Sequence, residues 1–304
     1  MGREDVGEKM YMYLENHEIE LSKTIRGVRT VLLYMFCIFL CTGVFGAVIP
    51  ISSIEDLQKI GKDLAYPLHG EYELTKDIEA NITKGWNNGS GFQPIGTEKN
   101  PFAGKLDGKG HKIVNLYINR SAEDYIGLLG YMASGGEVKD LGIERCEVVG
   151  KEFVGALVGV NFGTIDSSYS IGLLKGTGDV GGVVGFNQGR VNNSYSMGSV
   201  RGIGDIGGLV GSNGGIVSNC YSTAMVEGAG GVGGVVGLNV GMVKNSYWDI
   251  EASGERNSDG GEGRTIIEME QQANYVGWDF EKVWKIKEGQ TYPFLFWQTS
   301  FPEE

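Results

Sequence analysis

Basic side chains, histidine, proline and cysteine are all scarce in this chain of 304 residues. The 26 Lys and Arg residues face 38 Asp and Glu residues, which gives a net charge of −12. No basic cluster lies outside the N-terminal part, so we expect no nucleic-acid partner. The three histidines are His17, His69 and His111, too few to favour catalysis or metal binding by paired histidines.

Glycine, in contrast, is abundant. The chain has 51 glycines and 6 prolines, without the three-residue period of collagen. Hydrophobic residues make up 41% and charged residues 21%, a composition that argues against a wholly disordered chain. The sequence therefore indicates a folded protein with many tight turns.

An uncharged apolar run, VLLYMFCIFLCTGVFGAVI, covers residues 31–49 and follows three basic residues. Its length suits a bilayer span and is long for the core of a signal peptide. It predicts one N-terminal transmembrane or signal helix, and both an uncleaved anchor and a removed signal stay open. The positive flank would remain inside, so residues 1–30 would be a cytoplasmic leader and everything after Pro50 extracytoplasmic.

A 26-residue repeat dominates the exported part. Its strict units begin at Val154 (VGALVGVNFGTIDSSYS), Val180 (VGGVVGFNQGRVNNSYS), Ile206 (IGGLVGSNGGIVSNCYS) and Val232 (VGGVVGLNVGMVKNSYW). A looser unit begins at Tyr125, and an Asn and a Tyr recur in register in all four strict units. Apolar stretches within a unit are short and bounded by glycine, which leaves no room for a helix.

Such units predict the coils of a parallel β-solenoid, in which equivalent side chains stack in columns about 4.8 Å apart. The Asn column would satisfy backbone groups at turns, and glycines would supply left-handed corners. Leu141 and Ile143 of the looser unit align with Ser168 and Ser170, so this pair of columns is predicted to point inward. Cys220 shares the Leu141 column and lies three coils from Cys146, too far for a disulfide.

The flanks differ from the repeats and predict caps. Ser53 begins SIEDLQKIGKDL, a short amphipathic helix suited to an N-terminal lid. Residues 51–124 would form this cap and irregular coils, residues 125–247 the repeats, and residues 248–304 a C-terminal cap. The last part contains four of the five tryptophans and is predicted to be a plug over the last coil.

The Gly-rich cores GALVG, GGVVG, GGLVG and GGVVG resemble the GLUG motif, and the likeness extends over residues 51–298. The resemblance implies an all-β, right-handed parallel β-helix-like solenoid and a cell-surface role. The family includes surface proteins, adhesin-like passengers and some immunoglobulin-A metallopeptidases. Their peptidase activity lies in a separate zinc domain with an HExxH helix, a motif that this sequence does not contain, so that activity is not implied.

The Tyr column is the candidate ligand site. Tyr169 and its equivalents Tyr195, Tyr221 and Tyr247 should face outward and form an aromatic strip on which sugar rings stack. The alternative is that the stacked rings only stabilise the sheet, by about 0.2–1 kcal/mol for each pair.

Two carboxylates, Asp179 and Asp205, lie one repeat apart and would stack on adjacent coils. Solvated turn residues, a weak calcium site and catalysis are the three interpretations, and the third equivalent position is Gly231. No other cofactor is expected. Nucleophilic triads and phosphate loops find no matching motif.

The sequence thus predicts a non-enzymatic, adhesin-like or structural protein that is membrane-anchored at the cell surface or secreted. Its partner would be an extracellular glycan, matrix or protein surface, with a membrane contact through residues 31–49 if these are not cleaved. The alternatives are a carbohydrate-active β-helix enzyme, namely a polysaccharide lyase or hydrolase, and a structural unit of the cell envelope.

Overall fold

The computed structural model describes residues 47–302. The predicted leader, residues 1–30, and nearly all of the predicted membrane segment lie outside this range. Ile49, the last residue of that segment, already belongs to the first β-strand. Within the described range, no helix is long and apolar enough to cross a bilayer.

Short strands make up most of the described chain. Before the repeats they are β1 (Ile49–Ile51), β2 (Glu71–Leu74), β3 (Ile78–Glu79), β4 (Lys105–Asp107), β5 (Lys112–Val114) and β6 (Tyr117–Asn119). From the looser unit onward they are β7 (Leu129–Met132), β8 (Glu137–Lys139), β9 (Gly142–Val149), β10 (Val154–Gly155), β11 (Val158–Asn161), β12 (Thr164–Asp166), β13 (Tyr169–Lys175), β14 (Val180–Gly181), β15 (Val184–Asn187), β16 (Arg190–Asn192) and β17 (Tyr195–Arg201). The later repeats and the C-terminal part contain β18 (Ile206–Gly207), β19 (Val210–Asn213), β20 (Ile216–Ser218), β21 (Tyr221–Ser222), β22 (Met225–Glu227), β23 (Val232–Gly233), β24 (Val236–Asn239), β25 (Met242–Lys244), β26 (Tyr247–Asp249), β27 (Glu262–Arg264), β28 (Trp284–Lys285) and β29 (Phe294–Leu295).

Four parallel sheets run along the stack of coils. Sheet A has the order β1-β2-β4-β8-β12-β16-β20-β25, and sheet B has the order β27-β26-β21-β17-β13-β9-β5-β3, with β6 and β22 at its side. Sheet C is β24-β19-β15-β11-β7, and sheet D is β10-β14-β18-β23. Val154 pairs with Val180, and Val180 pairs with Ile206, so the 26-residue repeat is one coil. The predicted all-β parallel solenoid is confirmed.

The interior is an apolar column fed by alternate residues of each strand. Val138, Ile165, Val191 and Val217 occupy one position of sheet A on successive coils, and all four are buried in one continuous hydrophobic cluster. Leu141 and Ile143 also belong to this cluster, as the alignment predicts. Burying each such side chain stabilises the fold by about 1.5–3 kcal/mol, which is the main reason the coils stack.

The recurring asparagines form a ladder at one corner. Asn161 Nδ2 donates to Asn187 Oδ1, Asn187 to Asn213, and Asn213 to Asn239, each at 2.7 Å. Asn161 Oδ1 accepts the backbone N–H of Gly163 at 2.8 Å, and the other coils repeat this contact. The predicted role of this column, satisfying backbone groups at a turn, is confirmed.

The predicted role of the glycines is wrong for the corners of the strict repeats: between residues 154 and 247 only Gly198, inside β17, has a positive φ, of 98°. At the corners, left-handed backbone occurs instead at Ser167, Asn193, Asn219 and Asn245, with φ between 47° and 52°. Short polar side chains tolerate this conformation, and these residues contact one another from coil to coil. The glycines serve close approach: a Cβ on Gly185 would lie 2.5 Å from the backbone carbon of Phe153.

Between residues 47 and 302, three short α-helices lie outside the repeats. They are α1 (Ile54–Lys59), α2 (Ile250–Ser253) and α3 (Ile266–Met269), and 3-10 helices cover Asn81–Gly89 and Gln272–Asn274. Ser53 is the N-cap of α1 and accepts the backbone N–H of Asp56. Leu64, which the sequence pattern placed on the apolar face of this helix, lies beyond its end and is fully exposed. Helix α3 begins with a capping box of Thr265 and Glu268.

Cys146 and Cys220 are both buried and free. Burial raises the pKa of each thiol to about 12, so both remain protonated at neutral pH. Both behave as small apolar core residues.

Candidate functional site

The tyrosine column points out of the solenoid interior but is not exposed. Tyr169, Tyr195, Tyr221 and Tyr247 stack in register on sheet B, and none is more than 3% accessible to solvent. Neighbouring rings lie 4.8 Å apart between the first two and 4.9 Å between the next two. The prediction of an open strip for sugars is therefore wrong, because another part of the chain covers these rings.

The cover is the C-terminal part, and it does not act only as a plug over the last coil. Strand β27 pairs with β26 and extends the stack, and the following chain then turns back along sheet B. Trp278 contacts Tyr247, Trp284 contacts Tyr195, and Trp297 stacks on Tyr169. These residues, with Tyr275 and Leu295, form a second hydrophobic cluster on the outside of the solenoid.

Hydrogen bonds fix this cover to the column. The Tyr221 hydroxyl donates to the Pro293 carbonyl at 2.7 Å, and Gln298 Nε2 donates to the Tyr195 hydroxyl oxygen at 2.9 Å. Trp297 Nε1 donates to the Ser167 carbonyl at 3.1 Å. The tyrosines thus join two parts of the fold, which is a structural role.

A second aromatic cluster lies on the outer side of sheet C, and it is partly exposed. We call it the aromatic platform, and it consists of Tyr125, Tyr131, Phe153, Phe162 and Phe186. Two columns supply four of the five rings, each column is aromatic only on the earlier coils, and Phe162 lies beside them, next to Asn161. The corner column reads Tyr125, Phe153, Asp179, Asp205 and Gly231, and the strand column reads Tyr131, Val160, Phe186, Ser212 and Leu238.

Ring–ring contacts hold the platform together. Tyr125 stacks on Phe153 at 5.5 Å, and Tyr131 stacks on Phe162 at 5.6 Å. Phe186 meets Phe153 edge-on at 5.6 Å. Val160 lies between Tyr131 and Phe186 and is only 3% exposed, although it faces away from the interior cluster. The rings therefore form a continuous apolar surface, of which Phe162, 39% exposed, is the most accessible part.

Backbone strain accompanies this surface. Tyr125 has φ 64° and Phe153 has φ 55°, in the left-handed region that bulky residues avoid. Each such residue costs about 1–2 kcal/mol, and the equivalent residues of later coils, Asp179 and Asp205, do not adopt this conformation. Strain that the fold retains at partly exposed aromatic residues is a feature of functional sites.

Carboxylates lie next to the platform. We call Glu98, Asp124, Glu152, Asp179 and Asp205 the acidic rim. Burial, and then the charge of Glu98, raise the pKa values of the Tyr125 and Tyr131 hydroxyls, so Glu98 lies beside both. Lys151 pairs with Asp124 at 3.4 Å and with Glu152 at 3.5 Å. Within residues 47–302 no ion pair involves the other three carboxylates.

Asp179 and Asp205 lie one coil apart, as predicted, and Gly231 follows in the same column. Burial and the nearby Asp205 charge raise the pKa of Asp179, whereas its contact with the Ser212 hydroxyl lowers it. Ser212 Oγ also donates to Asp205 Oδ2 at 3.3 Å. In the described part of the chain, no group of three or more His, Cys, Asp or Glu residues is placed to hold a metal ion. A calcium site here stays a prediction.

A polar pocket lies where the cover meets the early coils. Glu144 is buried there, and its two carboxylate oxygens accept from the Tyr169 hydroxyl at 2.6 Å and from Lys112 Nζ at 2.9 Å. Asp77 and Trp297 also line the pocket.

Sequence reasoning missed the platform because it followed the positions that repeat. The platform residues stand where the units differ, for example Phe186 against Ser212. Several aromatic side chains at non-repeating positions of neighbouring units were the available signal.

These features define the protein as a parallel β-solenoid with one covered and one exposed aromatic face. No family model matches the chain. Over 133 residues it is 40% identical to halomucin of Haloquadratum walsbyi, a match that covers 41% of this chain and 1% of halomucin. Over 101 residues it is 38% identical to a "Putative Gly-rich membrane protein" of Evansella cellulosilytica, covering 32% of this chain and 11% of that protein. The chain thus spans only a small part of these relatives.

A solved structure shares the fold. The crystal structure titled "putative immunoglobulin A1 protease" from Bacteroides ovatus superposes with a TM-score of 0.61. The match covers 83% of this chain and 93% of the other, at 20% sequence identity. At this identity the likeness establishes the fold alone.

Proposed function

We propose that this protein is a non-enzymatic, extracytoplasmic β-solenoid that binds a glycan, matrix or protein partner at the cell surface. The observation that carries the proposal is the aromatic platform, an apolar and partly strained surface that no described part of the chain covers. Large contiguous apolar patches on a protein surface mark interaction or ligand-binding sites, whereas scattered apolar residues are ordinary. The tyrosine column, in contrast, is covered and therefore is not part of the candidate site.

The location rests on two supports. The uncharged run at residues 31–49 suits a membrane anchor or a signal helix. Two relatives bear the names halomucin and Gly-rich membrane protein, which are consistent with a surface location. Membership of the GLUG-repeat group, the right-handed sense of the coil and a lid role for α1 are parts of the same proposal.

The test compares cells that display the full chain with cells that display a platform variant, Phe162→Ser with Phe186→Ser. Both are assayed for surface exposure with an antibody and for retention on arrays of glycans and matrix proteins. We expect retention of the parent and loss in the variant. Equal retention of the variant, or an absence of surface exposure, would refute the proposal.

A control variant removes exposed apolar surface elsewhere. Leu173 is 60% exposed on sheet B, and the next coil carries Ser199 at the same position. Leu173→Ser should therefore fold normally and retain binding. This control separates loss of the platform from a general loss of surface hydrophobicity.

A second candidate function, cleavage of a polysaccharide, is favoured by the pocket around Glu144. Its carboxylate is buried beside Lys112 and Tyr169, and Asp77 lines the same pocket. Carboxylate pairs carry out glycoside chemistry. Glu144→Gln should abolish any release of reducing ends from polysaccharides if this function is real, and the platform variants should not affect it.

A further inference from the structure

The platform and its rim have the chemistry of a receptor for positive charge, and this inference rests on the surface function proposed above. Aromatic faces attract cations through their quadrupole, and carboxylates pair with ammonium and guanidinium groups. Both kinds of group therefore select the same ligand. We propose that the aromatic platform binds a basic segment of a partner protein, whose Lys or Arg side chains contact the rings and pair with Glu98, Asp179 and Asp205.

The acidic rim is complementary in charge to a basic ligand. Glu98, Asp179 and Asp205 have no ion-pair partner within residues 47–302, and Lys151 is already shared between Asp124 and Glu152. The like charges of Asp179 and Asp205 are held beside the same Ser212 hydroxyl, where a cation would relieve their repulsion. No Lys or Arg side chain of the described residues lies over a platform ring, whereas Tyr247, inside the covered column, has Arg264 at 4.2 Å.

The polar groups of the acidic rim are carboxylates, which act as hydrogen-bond acceptors. Ionised carboxylates only accept hydrogen bonds, and ammonium and guanidinium groups are positively charged partners that only donate them. A sugar hydroxyl both donates and accepts, so a site for neutral glycan gains from amide or cationic donors as well. The rim offers carboxylate acceptors next to ring faces, which favours a basic peptide over a neutral glycan.

Other occupants fit the platform and the acidic rim less well than a basic segment. A second copy of this chain carries the same net charge of −12 and would bring more negative charge to the rim. Phosphate-bearing or sulfated polymers would be repelled for the same reason. A positively charged protein segment with apolar side chains is the occupant that meets both the rings and the rim.

The experiment uses the purified full chain and three labelled probes. They are a peptide of alternating Arg and Leu, the matching peptide of alternating Glu and Leu, and chitohexaose as a neutral glycan. Binding is measured by fluorescence anisotropy at about 0.05 M and about 0.5 M salt, because exposed ion pairs weaken as the Debye length falls. We expect the basic peptide alone to bind, about tenfold more weakly at the higher salt concentration.

Two double variants locate the site. Asp179→Asn with Asp205→Asn removes charge and keeps shape, and Phe162→Ser with Phe186→Ser removes rings; each should weaken the basic peptide about tenfold. The matched charge control is Glu55→Gln with Glu147→Gln, which changes net charge equally at exposed positions away from the platform. It should alter affinity by less than about twofold.

Each other outcome overturns the inference. If chitohexaose binds and only the Phe variant loses it, the platform is a glycan site, and the proposed surface function survives without the basic partner. If all variants bind the basic peptide equally, the attraction comes from net charge alone. If no probe binds, the basic-partner inference is wrong, and the array assay decides the surface function separately. Circular dichroism confirms that each variant is folded.

Discussion

The tyrosine column and the aromatic platform are both built from aromatic residues, but the column is buried and the platform is partly exposed. The column repeats on four successive coils, presents identical rings and is sealed under the C-terminal part of the chain. The platform does not repeat, is strained at two residues and stays partly open. The comparison teaches that regularity in a solenoid marks the scaffold. A departure from the repeat is the better guide to a binding surface.

The largest expected effect comes from removing one ring of each kind. Tyr195→Ser deletes a fully buried ring between Tyr169 and Tyr221 and should reduce the free energy of unfolding by about 3–5 kcal/mol. Phe186→Ser introduces the residue that the next coil already carries at that position, Ser212, and should cost about 1 kcal/mol or less. Urea denaturation measures both, and equal losses would break the comparison.

We expect burial, rather than repetition, to decide whether a column of side chains stabilises the fold. Asn187 is buried within its ladder, so Asn187→Ala removes the acceptor that lies 2.7 Å from Asn161 Nδ2 and the donor that lies 2.7 Å from Asn213 Oδ1. Asn161 Nδ2 then keeps only the longer contact with the Arg190 carbonyl, at 3.3 Å. We expect a loss of about 1–3 kcal/mol in the free energy of unfolding. The control is Asn192→Ser at a half-buried position where the next coil has Ser218, and it should cost about 0.5 kcal/mol or less. A cost for Asn187→Ala as small as that expected for the control would mean that the ladder is dispensable.

Alkaline titration should separate the two sets of phenols. Burial raises the pKa values of Tyr195 and Tyr221 well above the ordinary value, so the folded state keeps protons that the unfolded chain loses near pH 10. Stability from these groups is fully present below that pH and declines as the pH rises above it. In phenolate absorbance, the partly exposed Tyr125 and Tyr131 should titrate reversibly in the folded protein, whereas Tyr195 and Tyr221 should titrate only on unfolding. A single early transition for all phenols would contradict the buried column.

The smallest effect concerns the rim. The folded-state pKa of Asp179 is raised, so its contribution to stability is present below the ordinary Asp pKa and is lost as the pH rises through the folded value. Asp179→Asn should therefore stabilise the protein at pH 7 by less than about 1 kcal/mol while weakening a basic ligand. The gain should vanish near pH 3, where Asp179 is protonated. Thermal denaturation at both pH values measures it, and a loss of stability at pH 7 would refute the prediction.

The repeat allowed the scaffold to be predicted closely. A 26-residue spacing and the alternation around Leu141 and Ile143 determine which residues pair and which point inward, because neighbouring strands must align like residues. The prediction that glycines form the left-handed corners was wrong, because close approach of the backbone and left-handed backbone both favour glycine. The structure assigns the left-handed corners to residues such as Asn193.

The candidate site was less predictable for a physical reason. Exposure of Tyr169 depends on where a distant, non-repeating segment docks, and a periodic pattern contains no information about that docking. Trp297 is 128 residues away in sequence from its stacking partner Tyr169. The platform in turn depends on contacts between rings at unlike positions of different coils, such as Tyr131 with Phe162.

The C-terminal part that covers sheet B also matches the height of the stack of coils. Its tryptophans meet tyrosines on different coils, from Trp278 beside Tyr247 to Trp297 on Tyr169. Duplicating or deleting one coil between these tyrosines would change the height of the stack by about 4.8 Å and break the match. The docking of the C-terminal part therefore fixes the number of coils between Tyr169 and Tyr247 in this chain.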